Sequence, residues 1–359
     1  MKECRQQDNG NKACAQHNSG IGGQAVLEGV MMRNKDKYAI AVRRSDGSIT
    51  IEKDTYKGIL ADSPLKKIPF VRGVFVFIDS MILGMRCTNY SAEIYAEDEV
   101  EESSEENSAG AETQDMDRDR SEKQDEQKDE EKESLGEKIL MGAVMVFSVI
   151  LALALFMALP VFLASHVVRL IGNPLLLSLF EGIFRIAIFV AYILLISQMK
   201  DIRRLFQYHG AEHKCINCLE SGHELTVENA SQATRLHKRC GSSFILFVMM
   251  VSIVLFFFIR VRNPLARVGI RVLLLPIISG ISYELIRFAG SSDNPVIGLL
   301  SKPGLWLQGL TTKEPEAEML EAAIASVEAV FDWRAYLAEE FGITAETETP
   351  MESPVQTGI

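Results

Sequence analysis

"ILMGAVMVFSVILALALFMALPVFLAS", residues 139–165, carries no ionisable side chain over 27 residues. A helix needs about 20 apolar residues to cross the hydrocarbon core of a bilayer. This stretch therefore predicts a membrane helix and sets the frame for everything around it. Further apolar blocks follow at 174–199, 244–259 and 268–289. The third is short and the fourth carries Arg271, Glu284 and Arg287, a pattern that suits a tilted pair or a partly re-entrant hairpin. The expected fold is a polytopic α-helical membrane protein with about four membrane helices, preceded by a small β-rich N-terminal cytoplasmic unit.

Composition agrees with such a division. The chain is 47% apolar with a mean hydropathy of +0.09, yet its net charge is -11. Apolar and charged residues must be segregated. The net negative charge is concentrated in "EDEVEESSEENSAGAETQDMDRDRSEKQDEQKDEEKE", residues 97–133, which holds no aromatic. Such a segment cannot bury enough surface to offset its ordering entropy, so residues 97–134 are expected to form a disordered linker. The remainder is close to neutral and has no basic face interleaved with aromatics, so nucleic acid is not an expected partner. Six cysteines, at 4, 14, 87, 215, 218 and 240, are too scattered for a disulfide framework and suit a reducing compartment. Residues 1–20 have no apolar h-region; a disordered tail that stays in the cytoplasm is expected.

The β-rich unit is placed at residues 21–69. "AVLEGVMM" and "YAIAV" are strand-like, and "SDGS" at 45–48 puts an Asp-Gly turn between two such runs. The opening "GIGGQAVLEGVMMR" lacks the phosphate-cradling spacings, so Gly22 and Gly23 are expected to serve a tight backbone turn. Residues 70–96, interrupted by Arg72 and Asp79, predict an interfacial or packed helix. The membrane domain covers 135–290 and includes a polar loop at 200–243. Lys200, Arg203, Arg204, Lys214, Arg235, Lys238 and Arg239 place that loop in the cytoplasm, against the weaker pull of Arg260, Arg262 and Arg267 on the other side. A cytoplasmic tail, 291–359, contains one amphipathic helix in "EPEAEMLEAAIASVEAVFDWRAYLAEEFG".

Chemistry concentrates in the polar loop. "KDIRRLFQYHGAEHKCINCLE", residues 200–220, repeats its apolar groups at a helical period. On a helix His209 and His213 share a face with Cβ atoms about 6 Å apart, within reach of one ion, and Glu212 sits beside them. This is H-x-x-E-H, the inverted metalloprotease motif, in which two histidines hold a divalent metal, zinc above all, and the glutamate takes a proton from water. A third ligand is required. Glu220, His237, Cys240 and Glu284 are the candidates, with His237 or Cys240 favoured and Glu284 next. An ion pair with Arg287 is the plain alternative for Glu284. A competing arrangement pairs Cys215-x-x-Cys218 with His237-x-x-Cys240 as a closed structural zinc knuckle. Elsewhere, Glu181 and Arg185 form an i,i+4 pair that reads as a structural ion pair, and Glu28 and Arg33 are expected to face opposite sides of a strand.

"GGQAVLEGVMMR", "QYHGAEHKCINCLE", "LTVENA", "HKRCGSSF", "GISYELIRFAG" and "PGLWLQGLTTKEP", in that order, resemble the YqhQ-like family of bacterial membrane proteins of unknown function. The resemblance runs from about residue 20 to 325, excluding the acidic segment. It implies an integral protein of the bacterial cytoplasmic membrane and a metal-dependent enzyme with no established substrate. The matching polar residues are His209, Glu212, His213, Lys214, His237, Arg239 and Cys240, with Glu28 and Arg33 near the N-terminus. Lys238 and Ser242 depart from the family's His-Pro-Arg-Cys-Gly-Thr without removing a ligand, and Cys215 and Cys218 lie outside the motif. The expected function is a metal-dependent hydrolase at the cytoplasmic membrane surface, peptidase-like by motif analogy, with the lipid bilayer and a peptide or membrane-protein substrate as partners. The alternative is a non-enzymatic scaffold or assembly factor with structural zinc or none.

Overall fold

The computed structural model describes residues 17–61, 63–109, 126–173, 176–259, 261, 264–290 and 295–343. Four strands, β1 (Ile21–Val26), β2 (Gly29–Asn34), β3 (Lys37–Arg43) and β4 (Ile49–Thr55), form an antiparallel meander in the order β1-β2-β3-β4. The Asp-Gly signal is the β3–β4 hairpin: Arg43 pairs with Ile49, Gly47 adopts φ +85°, and Asp46 accepts a bond from the Ser48 amide. Gly22 and Gly23 lie within β1, in register with Arg33 and Met32, rather than in the expected turn.

Alternation along β3 explains what covers the sheet. Tyr38, Ile40 and Val42 point to one face and meet Leu83, Cys87 and Ile94 of α1 (Val71–Ala109). The small Ala39 and Ala41 point to the other, where α10 (Ala317–Val330) lies close enough for Ser326 Oγ to donate to the Ala39 carbonyl. Both faces of a central strand are therefore buried, which is why its run reads as continuously apolar.

The second face belongs to the main core. Ile21, Val30 and Met32 pack with Tyr208, Ala211, Cys215 and Leu219 of α5 (Lys200–Glu220) and with Met319, Leu320, Ala323 and Val327 of α10. Short α6 (Val227–Gln232) and α11 (Trp333–Phe341) close its edge. The N-terminal sheet, the polar loop and the C-terminal segment thus share one core, which corrects the expectation of three separate units. The amphipathic period of 314–342 needed an apolar partner, and the sheet and α5 supply it. A carboxylate clamp joins the same pieces: Glu28, at φ +49° in the β1–β2 turn, accepts two bonds from Arg204 at 2.5 and 2.6 Å and one from Tyr208 Oη.

Beyond this core the chain is helical and apolar: α2 (Glu126–Leu153) runs through a π turn (Ala154–Ala158) into α3 (Leu159–Ile171), followed by α4 (Leu177–Ile196), α7 (Gly241–Phe258), α8 (Pro264–Gly290) and α9 (Pro295–Thr311). Among the described residues, three stretches are by length and composition long and apolar enough to cross a membrane: Gly142–Ile171, Leu177–Ile196 and Gly269–Ala289. Ser243–Phe258, the third expected span, is apolar but shorter. Helix α9, expected as tail, packs along α7. Both described ends of the acidic segment, 97–109 and 126–134, are helical, continuing their apolar neighbours. Residues 110–125 of that segment, and the tail residues 1–16 and 344–359, lie outside the described residues.

Candidate metal centre and its cavity

His209 and His213 sit one turn apart on α5, as their spacing requires, and their rings meet edge to face with centroids 4.4 Å apart. Cys240 comes from the turn that opens α7. One ligand atom from each of these three residues falls within 4.8 Å of the others. His209 Nε2 is 3.2 Å from the Cys240 sulfur.

Hydrogen bonds behind the rings fix which nitrogens face the sulfur. His209 Nδ1 lies 2.9 Å from the Thr311 carbonyl and His213 Nδ1 2.6 Å from the Arg235 carbonyl. A carbonyl only accepts, so each Nδ1 carries a proton, and in the neutral imidazole each Nε2 presents a lone pair to the centre. A thiol has one proton to give, and there are two lone pairs. His213 Nε2 is buried and faces the same Cys240 sulfur. Two lone pairs and a sulfur converging on one buried point could hold a cation between them, and a backbone carbonyl behind each histidine is the usual support of a metal ligand. Donors around a tetrahedral zinc stand roughly 3.5 Å apart. His209 Nε2 and Cys240 Sγ are already at about that spacing.

The local field points the same way. Burial resists charge on His209, but Cys240 outweighs it and pushes the pKa up to about 9. Burial likewise resists a thiolate at Cys240, yet His213 and His209 hold that thiol well below its ordinary value. The site favours a negative sulfur beside positive charge, which a divalent ion provides outright.

Glu212 completes the constellation without joining the ligands. It is 4% exposed, and one carboxylate oxygen, Oε2, has no hydrogen-bond partner. Burial pushes its pKa up, countered in part by His209, His213 and the amide of Gly23. A Cβ at position 23 would stand 2.7 Å from the Met31 carbonyl and 2.9 Å from Glu212 Cδ, so only glycine lets the carboxylate lie against β1. Gly210, between the motif's histidine and glutamate, plays a parallel part: a Cβ there would collide with the Lys313 carbonyl.

His209, Glu212 and Cys240 line a cavity of about 930 Å³ between β1, α1, α5, α7 and α8. Water or a substrate therefore has access to the centre from the side of Glu212.

The remaining candidates are elsewhere. His237 is beside the centre, its ring centroid 5.8 Å from that of His213, but its Nε2 lies 3.3 Å from Glu220 and its backbone is held by Gln308. Glu220, fully buried, also receives Arg239, the Ser19 amide and the Ser19 hydroxyl, so it anchors structure rather than metal. Glu284 pairs with Arg72 of α1 at 2.5 and 2.7 Å instead of with Arg287 or the centre. Cys215 and Cys218 are in the main core, where burial raises the pKa of both, that of Cys218 to about 12; no knuckle forms with His237 and Cys240. Lys214 ties α5 to the Ser231 carbonyl and Glu314. Glu181 bonds Arg185 as expected and also Arg271 of α8. Arg33 lies over Tyr56, away from Glu28.

Residues 68–333 match the family model described as "Protein of unknown function (DUF1385)". The chain is also 37% identical over 310 residues to the "Uncharacterized protein YqhQ" of Bacillus subtilis (strain 168), covering 85% of this chain and 90% of that one. The chain belongs to the DUF1385 family. No solved structure matches it. Neither DUF1385 description carries a reaction or a ligand, so the chemistry rests on the arrangement of His209, His213, Cys240 and Glu212. The model's match begins at residue 68, beyond β1, so it leaves Gly23 outside although that residue seats Glu212.

Proposed function

We propose that this protein is a membrane-embedded, metal-dependent hydrolase, with His209, His213 and Cys240 as ligands of a divalent ion, zinc by preference, and Glu212 as general base. The observation that carries this reading is the convergence of two histidine lone pairs and a sulfur on one buried point, next to a carboxylate oxygen left unpartnered at the wall of a cavity. Two imidazoles and a thiolate suit zinc and leave a fourth position for the reaction. The ion would polarise a water and the substrate's carbonyl oxygen. Glu212 takes the proton of the attacking water and returns it to the leaving atom; its burial raises its basicity toward neutral pH. Peptide bonds are the first candidate by analogy with the H-x-x-E-H motif alone.

Membrane insertion is supported by the three long apolar helices and by their bare outer faces, with Phe162, Leu170, Leu195 and Leu273 two-thirds exposed or more. The basic residues of the 200–243 segment favour a bacterial cytoplasmic membrane with the metal centre on the cytoplasmic side. A scaffold held by a cysteine-rich knuckle gains nothing from Cys215 and Cys218, which pack in the core.

Elemental analysis of purified wild type, His209→Ala, Cys240→Ser, Cys215→Ser/Cys218→Ser and Glu212→Gln tests the proposal. Near-stoichiometric metal should be lost with His209 or Cys240 and kept in the other two. Glu212→Gln should lower hydrolysis of any acyl substrate the wild type cleaves by roughly 10²–10⁴-fold. Absence of metal from the wild type, or full activity in Glu212→Gln, would overturn the reading.

A further inference from the structure

The cavity above the metal centre has two kinds of wall. Near the centre it is polar, formed by His209, Glu212, Cys240 and Gln24; Arg33 and Lys35 add positive charge, while Arg239 is paired with Glu220. Toward α1, α7 and α8 it is apolar, formed by Val76, Phe77, Met81, Phe244, Ile245 and Ile286. Phe77 and Phe244 stack across this end with ring centroids 5.1 Å apart.

Exposure shows where the apolar end leads. Val76, Phe77, Met81, Met85 and Ile245 all line the cavity and are all between 37% and 57% exposed. They are rim as much as lining. A mouth of that composition facing water would leave contiguous apolar surface uncovered; facing lipid tails, it costs nothing. Helix α8, one of the three long apolar stretches, supplies Tyr283 and Ile286 to the same wall and holds α1 through the Arg72–Glu284 pair. The cavity therefore leads from a basic, metal-ligating end to an apolar end that opens beside an apolar helix.

We propose that the substrate is a membrane lipid with an anionic headgroup, which enters sideways from the bilayer, lays its acyl chain between α1 and α7 and brings its acyl linkage to Glu212. This inference rests on the hydrolase reading above for its chemistry, though not for the binding. Arg33 and Lys35 complement the headgroup charge, and the apolar rim matches the chain. Water adds to the acyl carbonyl carbon while Glu212 takes its proton. The bond from that carbon to the glycerol oxygen breaks, the leaving oxygen receives the proton, and a fatty acid and a lysolipid result.

Photolabelling tests it in full-length protein reconstituted in nanodiscs, using phosphatidylglycerol with a diazirine near the end of one acyl chain. Labelling at Phe77, Met81 and Phe244 should exceed that at Phe147, an exposed apolar residue of α2 outside the cavity. Ser80→Trp, at an exposed position on the cavity wall, should cut labelling at Phe77, Met81 and Phe244 by about tenfold, what losing the burial of two methylenes is worth, and leave Phe147 unchanged. Arg33→Glu/Lys35→Glu should weaken labelling by this probe relative to a phosphatidylcholine analogue. The His209→Ala variant should still label, since the chain does not need the metal. Labelling of α1 and α7 no stronger than that of α2, or insensitive to Ser80→Trp, would overturn the inference. Metal content of the same samples separates the two ideas: metal without cavity labelling removes the lipid and leaves the hydrolase, and cavity labelling without metal does the reverse.

Discussion

The carboxylate of Glu212 lies against the backbone of β1, and its position depends on a residue that is distant in sequence and has no side chain. Gly23→Ala places a methyl 2.9 Å from Glu212 Cδ and 2.7 Å from the Met31 carbonyl. The substitution should cost about 1–3 kcal/mol of stability through overpacking and lower hydrolysis while the metal stays bound, because the ligands are on α5 and on the turn before α7. Denaturation midpoints, metal content and turnover of the one variant check all three. His209 and His213 were legible from their i,i+4 spacing, since a helix brings such residues to one face whatever surrounds it. Cys240 against His237 was not legible. Three residues apart on a turn, the two differ only in where the turn aims them, and Gln308 on a helix about seventy residues later decides that by gripping the His237 backbone. The use of Gly23 was hidden for a similar reason: a glycine needed for close approach looks in sequence like one needed for a turn.

At the scale of elements, the end of α5 is held by a buried carboxylate. Glu220 accepts from Ser19, His237 and Arg239 and joins three separate segments. Burial would raise its pKa, but the hydrogen bond from His237 and the Arg239 charge outweigh it and hold the group below its ordinary 4.5. A carboxyl depressed on folding adds stability that is fully present above its unfolded pKa and is lost as pH falls through the folded one. Glu220→Gln should therefore destabilise the protein by about 2–4 kcal/mol at neutral pH, and the gap to wild type should close as the pH is lowered below about 4.5. Thermal denaturation of both proteins from pH 7 to pH 3 measures it; a gap that does not change with pH would contradict the assignment. The β3–β4 hairpin was legible from its Asp-Gly turn and the amphipathic α10 from its period, whereas the β1–β2 turn was not, because it falls inside the run "AVLEGVMM" that reads as one strand. That α10 covers the sheet was not, because an amphipathic period states that a helix has a partner without naming it.

For the whole molecule, connectivity fixes which ends of the helices lie together. Helix α4 leads directly into α5, so the turn at 172–173, between α3 and α4, is at the opposite end of that helix from the metal centre. If the centre is cytoplasmic, Asn173 faces out and Lys35, at the β2–β3 turn, faces in. In a background without Cys4 and Cys14, a cell-impermeant maleimide should label Asn173→Cys in intact spheroplasts and Lys35→Cys only after permeabilisation; the native Cys87, Cys215, Cys218 and Cys240 are buried. Labelling of Lys35→Cys from outside would invert the orientation. The long apolar helix at 142–171 was legible because a run long and apolar enough to cross a bilayer is read from length and composition alone. Helix α9 was not recognised, because its apolar run is short and broken by Pro303, and only its packing on α7 reveals its place.

All three scales meet at the ligand set, and X-ray absorption at the zinc edge of the purified, metal-loaded protein tests it most directly. The account predicts one sulfur at about 2.3 Å and two imidazole nitrogens at about 2.0–2.1 Å, with a remaining light-atom ligand; the sulfur should vanish in Cys240→Ser and persist in Cys215→Ser/Cys218→Ser. Two or more sulfurs per zinc, or a sulfur lost with Cys215 and Cys218, would contradict the His209, His213 and Cys240 centre.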